Sequence, residues 1–108
     1  MMILFFLACA LETDSAPEIP ATCETAPEVS WENWGEGFFL TYCNSCHSQV
    51  SENRNGAPED VNFNTYSEVK HWKERIHVRV LEEGTMPLGG GVYPEDLEML
   101  EVFLACMQ

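Results

Sequence analysis

The sequence predicts a small all-α domain over residues 30–108. Three stretches in it carry apolar residues at steps of three and four, the spacing of one helix face. Capping residues precede two of these stretches, at Ser30 and Thr65, and Pro94 precedes the third. A chain of 108 residues is long enough for one small domain, and such a domain has a thin core that commonly needs a covalent staple.

The chain before this domain has two parts. Residues 1–9 are continuously apolar but too few to span a bilayer as a helix, so we expect a secretory signal. Leu7-Ala8-Cys9 is similar to the bacterial lipoprotein signal, in which the cysteine receives lipid, although Ala8-Cys9-Ala10 also satisfies the rule for ordinary signal cleavage. Residues 10–29 contain three prolines and five acidic residues but no basic residue, which predicts an extended, solvated tether.

The first predicted helix begins at Trp31 and is capped by Ser30. Its apolar face is aromatic and consists of Trp31, Trp34, Phe38 and Tyr42. Gly35 and Gly37 each weaken a helix interior by about 1 kcal/mol relative to alanine, so their presence needs a reason. Close approach of another helix at Gly35 is a sufficient one, and the alternative is a merely weak helix.

The second predicted helix is opened by Thr65 and Glu68, which have the spacing of a capping box. Its apolar face consists of Val69, Trp72, Ile76 and Val80. Gly84 ends the helix as a left-handed cap. Four of the five basic residues of the chain also lie here, and they are Lys70, Lys73, Arg75 and Arg79.

The third predicted helix begins after Pro94, with acidic residues near its positive N-terminal end. Its packing face consists of Leu97, Leu100, Phe103 and Leu104. Cys106 closes the helix.

The chain is strongly acidic, with a net charge of −13. Removing the five tether carboxylates from the total of 18 leaves 13 acidic against five basic residues in the domain, a charge of −8. This balance excludes a nucleic-acid footprint and argues against a polybasic membrane contact. It permits electrostatic steering of a positively charged partner, and a solubility function is the alternative.

One motif carries the chemistry, and it lies directly after the first helix. Cys43-Asn44-Ser45-Cys46-His47 is the attachment pattern of a c-type haem, in which each thiol adds across one vinyl group and the histidine ligates the iron. The alternatives are half of a zinc site and a redox Cys-x-x-Cys. A zinc site would need a second nearby Cys or His pair, and a thioredoxin-type site would need a βαβ context; the sequence offers neither.

From the motif outwards, the chain resembles the class I cytochromes c over about residues 30–108. That family has a glycine eight residues before the first haem cysteine and an aromatic residue four before it, where this chain has Gly35 and Phe39. It also has a methionine, usually followed by proline, as the second axial ligand, and Met86-Pro87 fits. The resemblance implies a helical domain wrapped around one covalent haem c, attached through Cys43 and Cys46.

The resemblance also implies roles for single residues. His47 and Met86 would be the iron ligands, with His71 and His77 as alternatives to Met86. A proline carbonyl, here that of Pro58, would accept the hydrogen bond of the proximal imidazole, although any backbone carbonyl could serve. The Trp72 indole, His71 and the Lys and Arg residues of the second helix are candidate partners for the haem propionates. Phe103 would pack opposite Gly35.

These features predict an electron carrier rather than an enzyme, located in the periplasm or on the outer surface of a bacterial membrane. We expect a monomer that exchanges single electrons with redox partner proteins, binds no nucleic acid and touches a membrane only through lipid at Cys9. It could also serve as a donor domain of a larger oxidoreductase. The alternatives are a haem-based ligand sensor or peroxidase-like module with a displaceable Met86, and a zinc or disulfide module without haem.

The remaining cysteines predict a disulfide. Five cysteines less the haem pair leave Cys9, Cys23 and Cys106, and lipidation or cleavage removes Cys9 from this set. Two thiols on a small exported domain tend to be joined. We therefore expect a bond between Cys23 and Cys106.

Overall fold

The computed structural model describes Cys23 and residues 29–107 of the chain. The predictions made for residues 1–9, including the lipid site Cys9, and for most of the tether lie outside the described residues. Residues 29–107 form three helices and no strand, which agrees with the all-α prediction. In this part of the chain no helix has the length and apolar character needed to cross a bilayer.

Helix α1 consists of a π-helical turn, Trp31–Gly35, that continues directly into the α-helical Glu36–Tyr42. The Ser30 hydroxyl accepts a hydrogen bond from the Asn33 amide at 3.1 Å, and the Asn33 side chain accepts one from the Ser30 amide at 2.8 Å. This reciprocal pair satisfies two amides that the first turn would leave unpaired. The helix therefore begins where the sequence predicts, although its first turn is wider than an α-helix.

Helix α2 is α-helical over Tyr66–Ile76 and π-helical over His77–Glu82. The capping box predicted for its start is present, because Thr65 Oγ1 accepts from the Glu68 amide at 3.2 Å and Glu68 Oε1 accepts from the Thr65 amide at 3.1 Å. Gly84 has a φ of +66°, the left-handed conformation predicted for it.

Helix α3 is α-helical over Pro94–Cys106, with Pro94 in its first turn. It packs on α1 at two points. The ring of Phe103 lies so close to Gly35 that a Cβ atom placed on the glycine would be 2.9 Å from Phe103 Cζ. The Tyr42 hydroxyl donates a 2.7 Å hydrogen bond to Asp96 Oδ2. The start of α1 thus meets the end of α3, and the end of α1 meets the start of α3, so the close approach predicted at Gly35 is present.

One apolar core lies between the three helices. Its members are buried and come from every helix and from the loop before α2. They are Phe38, Phe39, Phe63, Val69, Ile76, Val80, Leu100, Phe103 and Leu104. Leu97 and Trp72, which the helical spacing also assigns to packing faces, are only half-buried at the edge of this core.

A disulfide geometry links Cys23 to the end of α3. The sulfurs of Cys23 and Cys106 are 1.96 Å apart and their Cα atoms 5.5 Å apart, as the cysteine count predicts. The contact places Cys23 beside the helical domain.

Candidate functional site

The Cys43–His47 motif forms a tight turn at the end of α1. The Cys43 amide donates to the Phe39 carbonyl at 3.0 Å, and the amides of Cys46 and His47 both donate to the Cys43 carbonyl, at 3.2 and 3.0 Å. The motif therefore starts on the last turn of a helix whose Phe38 and Phe39 are in the core, and Cys43 itself packs against that core. These backbone hydrogen bonds give both thiols and the imidazole a defined position.

The two cysteines of the motif are free thiols in different surroundings. Burial raises the pKa of Cys43 to about 12, so this thiol stays protonated at neutral pH. The Cys46 sulfur is within 3.0 Å of Asn55 Nδ2, which donates to it. A redox dithiol requires a lowered thiol pKa, and the surroundings of Cys43 have the opposite effect.

The His47 ring is held by the protein at one nitrogen. Its Nδ1 lies 2.9 Å from the Val61 carbonyl oxygen, and because a carbonyl can only accept, Nδ1 carries the proton. Nε2 is then the nitrogen with a free lone pair. The ring also packs on the buried Phe63, with centroids 4.8 Å apart.

The carbonyl that holds His47 is not the one expected. Pro58 was predicted to accept the imidazole hydrogen bond, but its carbonyl accepts instead from Arg54 Nη2 at 2.6 Å and from the Val61 amide at 3.1 Å. The hydrogen bond from the Val61 amide to the Pro58 carbonyl closes a turn. This turn places the Val61 carbonyl, instead of the Pro58 carbonyl, beside the imidazole of His47.

The loop between His47 and α2 is tied back to the motif by backbone bonds. The Phe63 amide donates to the His47 carbonyl at 2.9 Å, and Asn44 Nδ2 donates to the Phe63 carbonyl at 3.0 Å. Arg54 donates further hydrogen bonds inside the loop. Sequence reasoning missed Arg54, Asn55 and Val61. The available signal was that Arg54 is the one basic residue outside α2.

Met86 lies on the loop that follows α2. Its amide and that of Thr85 both donate to the Arg79 carbonyl, at 3.1 and 2.9 Å, so the end of α2 fixes the start of the loop. The Met86–Pro87 peptide bond is cis. The Met86 side chain is half-buried and packs against the apolar core.

The alternatives to Met86 have other surroundings. His71 is exposed and meets the half-buried Trp72 edge-on at 4.8 Å. His77 Nδ1 lies 3.6 Å from Glu82 Oε1, in a pair that is about half exposed. Met86 is therefore the candidate ligand that packs on the core, and the two histidines face solvent or a surface carboxylate.

No three His, Cys, Asp or Glu side chains converge as ligands for a metal ion among the residues that the structure describes. Comparisons of the chain with protein-family models, with curated proteins and with solved structures found no match.

Proposed function

We propose that this chain is a c-type cytochrome that carries one haem and transfers single electrons outside the cytoplasm. The observation that carries the proposal is the hydrogen bond between His47 Nδ1 and the Val61 carbonyl. It fixes the tautomer of a histidine that directly follows a Cys-x-x-Cys pair, and it leaves Nε2 available as an axial iron ligand.

The kinds of donor in the motif and on the Met86 loop suit a covalent haem. Cys43 and Cys46 are free, as thioether formation requires. Met86 offers a soft sulfur, which favours Fe(II) as an axial ligand. Several apolar side chains around the core are only half-buried, and a macrocycle could cover them. Among them are Val61, Trp72, Leu81, Met86 and Val92.

Each of these residues would have a distinct task. Cys43 and Cys46 would hold the haem covalently, and His47 and Met86 would be the two iron ligands that the protein supplies, leaving no iron position for a substrate. When bound, the haem supplies one-electron exchange between ferrous and ferric iron. The aromatic core excludes water from the side it covers, which limits reorganisation during electron transfer.

The partner and the location belong to the same proposal. An acidic domain favours a redox partner with a basic docking surface, because opposite charges steer encounter. Covalent haem attachment and a disulfide both suit an exported protein. Anchoring through Cys9 remains part of the proposed location, on the outer surface of a bacterial membrane or in the periplasm.

The two alternatives have weaker support from the described residues. The raised pKa of Cys43 disfavours a redox dithiol, and no group of three His, Cys, Asp or Glu side chains among the described residues is placed to hold a zinc ion. A haem sensor or peroxidase would use a distal acid or base, and His71 is exposed while His77 pairs with Glu82.

The test is expression of the chain with a haem-maturation system, followed by mass spectrometry and an optical spectrum. We expect the mass of one covalent haem, sharp reduced bands and a weak far-red thioether band. The Cys43→Ser/Cys46→Ser double variant is the control and should lose covalent haem. A chain that matures without haem would contradict the proposal, and haem without the thioether band would favour the sensor.

A further inference from the structure

Arg54 is bonded at every position of its guanidinium group. Its side chain has five N–H bonds, and it donates five hydrogen bonds. The acceptors are the carbonyl oxygens of Ser48 (2.6 Å), Pro58 (2.6 Å), Val61 (3.0 Å) and Ala57 (3.3 Å), and the side-chain oxygen of the buried Asn62 (2.8 Å). One side chain thus sets the path of the whole loop between the motif and α2.

One of these acceptors is the carbonyl that holds His47. The Val61 oxygen receives the Nδ1 proton of His47 at 2.9 Å and the Nη2 proton of Arg54 at 3.0 Å. A carbonyl has two lone pairs, so both bonds can form together. They are coupled, because a cationic donor draws electron density from the oxygen and weakens it as an acceptor for the imidazole.

No carboxylate of residues 29–107 forms an ion pair with Arg54. All five acceptors are neutral, and the ion pairs found among residues 29–107 involve His77 and Arg79 instead. The half-buried guanidinium of Arg54 and the imidazole of His47 are therefore hydrogen-bonded to the same oxygen, that of the Val61 carbonyl. Charges in such partly buried positions are screened less than exposed ones.

We propose that Arg54 is a positioning residue for the proximal ligand, orienting the Val61 carbonyl toward His47 and raising the reduction potential of the iron. This inference rests on the proposed function. Two effects have the same sign. A weaker hydrogen bond to the imidazole makes it a poorer donor to Fe(III), and a nearby positive charge disfavours the extra charge of Fe(III).

The experiment compares the reduction potential and the urea stability of the haem-loaded protein in three variants. Arg54→Gln removes the charge and most of the donors. Arg54→Lys keeps the charge but loses the fork of five donors. Arg75→Gln is the matched control, because Arg75 lies on the exposed side of α2 and its loss changes the net charge equally.

We expect the potential of Arg54→Gln to fall well below that of Arg75→Gln, with Arg54→Lys between them. A purely structural role would lower the urea midpoint of Arg54→Gln while its potential equalled that of the control, and this result would overturn the inference. If Arg54→Gln fails to mature, the Arg54→Lys variant tests the positioning role of the five-donor fork. A reduction potential of Arg54→Lys equal to that of the unmodified protein would then overturn the inference. Failure of the unmodified chain to bind haem would instead overturn the proposed function.

Discussion

At the scale of single residues, the candidate site depends on backbone carbonyls as much as on the motif. The Val61 carbonyl fixes the tautomer of His47 by accepting from Nδ1. The Arg79 carbonyl accepts from the Met86 amide and so fixes the position of Met86 on its loop. Neither carbonyl depends on the type of side chain it belongs to. The side chains that supply the chemistry are therefore readable from the sequence, whereas the groups that orient them are set by the path of the chain.

Replacement of the proposed distal ligand should change the iron without releasing the haem. We expect Met86→Ala to lose the far-red thioether band and to lower the reduction potential, because the soft sulfur that favours Fe(II) is gone. Covalent haem should remain, since the cysteines are untouched. Spectra and redox titration measure both effects, with Met99→Ala, a half-buried methionine on α3, as the control. An unchanged Met86→Ala spectrum would move the assignment to His71 or His77.

At the scale of helices, alanine substitutions at two glycines of α1 are expected to change the free energy of unfolding in opposite directions. An alanine Cβ at Gly35 would lie 2.9 and 3.0 Å from ring carbons of Phe103 and 3.1 Å from Trp31 Cε3. Gly37 has nothing within 4 Å of such an atom. We expect Gly35→Ala to reduce the free energy of unfolding by about 1–3 kcal/mol through overpacking.

Gly37→Ala is the control for that substitution. It should raise the free energy of unfolding by up to about 1 kcal/mol, because alanine is the better helix former and the site is open. Urea unfolding of both variants measures the difference. Equal effects of the two substitutions would show that α3 does not need the close approach at Gly35.

The bond between Tyr42 and Asp96 should make the contact of α1 with α3 sensitive to alkaline pH. The hydrogen bond to the Asp96 carboxylate raises the pKa of Tyr42 above its usual 10.0. The stabilisation from this bond is therefore fully present below pH 10, and it is lost as the pH rises through the higher folded-state pKa. We expect unfolding experiments to show a decline of stability above pH 10 that is smaller in Tyr42→Phe.

Asp96→Asn separates the charge from the contact itself. An amide oxygen can still accept the phenol proton, so part of the rise in the pKa of Tyr42 should remain, but the negative charge that opposes ionisation is gone. We therefore expect a decline between that of the unmodified protein and that of Tyr42→Phe. The same alkaline decline in the unmodified protein and in both variants would mean that Tyr42 does not contribute to it.

Sequence patterns predicted the parts of these helices that depend on local or periodic signals. The Ser30 cap, the Thr65 capping box and the left-handed Gly84 are of this kind, whereas the contact of Gly35 with Phe103 was implied by the family resemblance. The π-helical turns at Trp31–Gly35 and His77–Glu82 were not predicted, because apolar spacing hardly distinguishes them from α-helical turns. The hydrogen bonds of Arg54 were not predicted because its partners are mostly backbone atoms, which leave no pattern in the sequence.

At the scale of the whole molecule, stability depends on a core of few residues. Nine apolar side chains are buried among residues 29–107, which is a thin core for a chain of this length. Small domains of this kind commonly rely on covalent staples. The proposed thioethers at Cys43 and Cys46 would be one staple, and the Cys23–Cys106 pair is another.

The second staple gives a prediction for the whole chain. Cys23 and Cys106 are 83 residues apart in sequence, and a bond closing a loop of this size restricts the unfolded chain. On the chain-entropy account, removing it should cost about 4 to 5 kcal/mol of unfolding free energy. We expect the Cys23→Ser/Cys106→Ser variant to show this loss in urea unfolding.

Thiol reductant provides the matched control for that loss, because it opens a disulfide but leaves thioethers intact. Ascorbate, which reduces the proposed haem iron but not a disulfide, is added to every sample so that the oxidation state of the iron does not differ. The thiol reductant should destabilise the unmodified protein to the level of the double variant, and it should leave the double variant unchanged. Peptide mapping without reduction should find the two cysteines joined. Two alkylatable thiols in the oxidised protein would contradict the bond, and the domain would then depend on its core and on the proposed haem attachment.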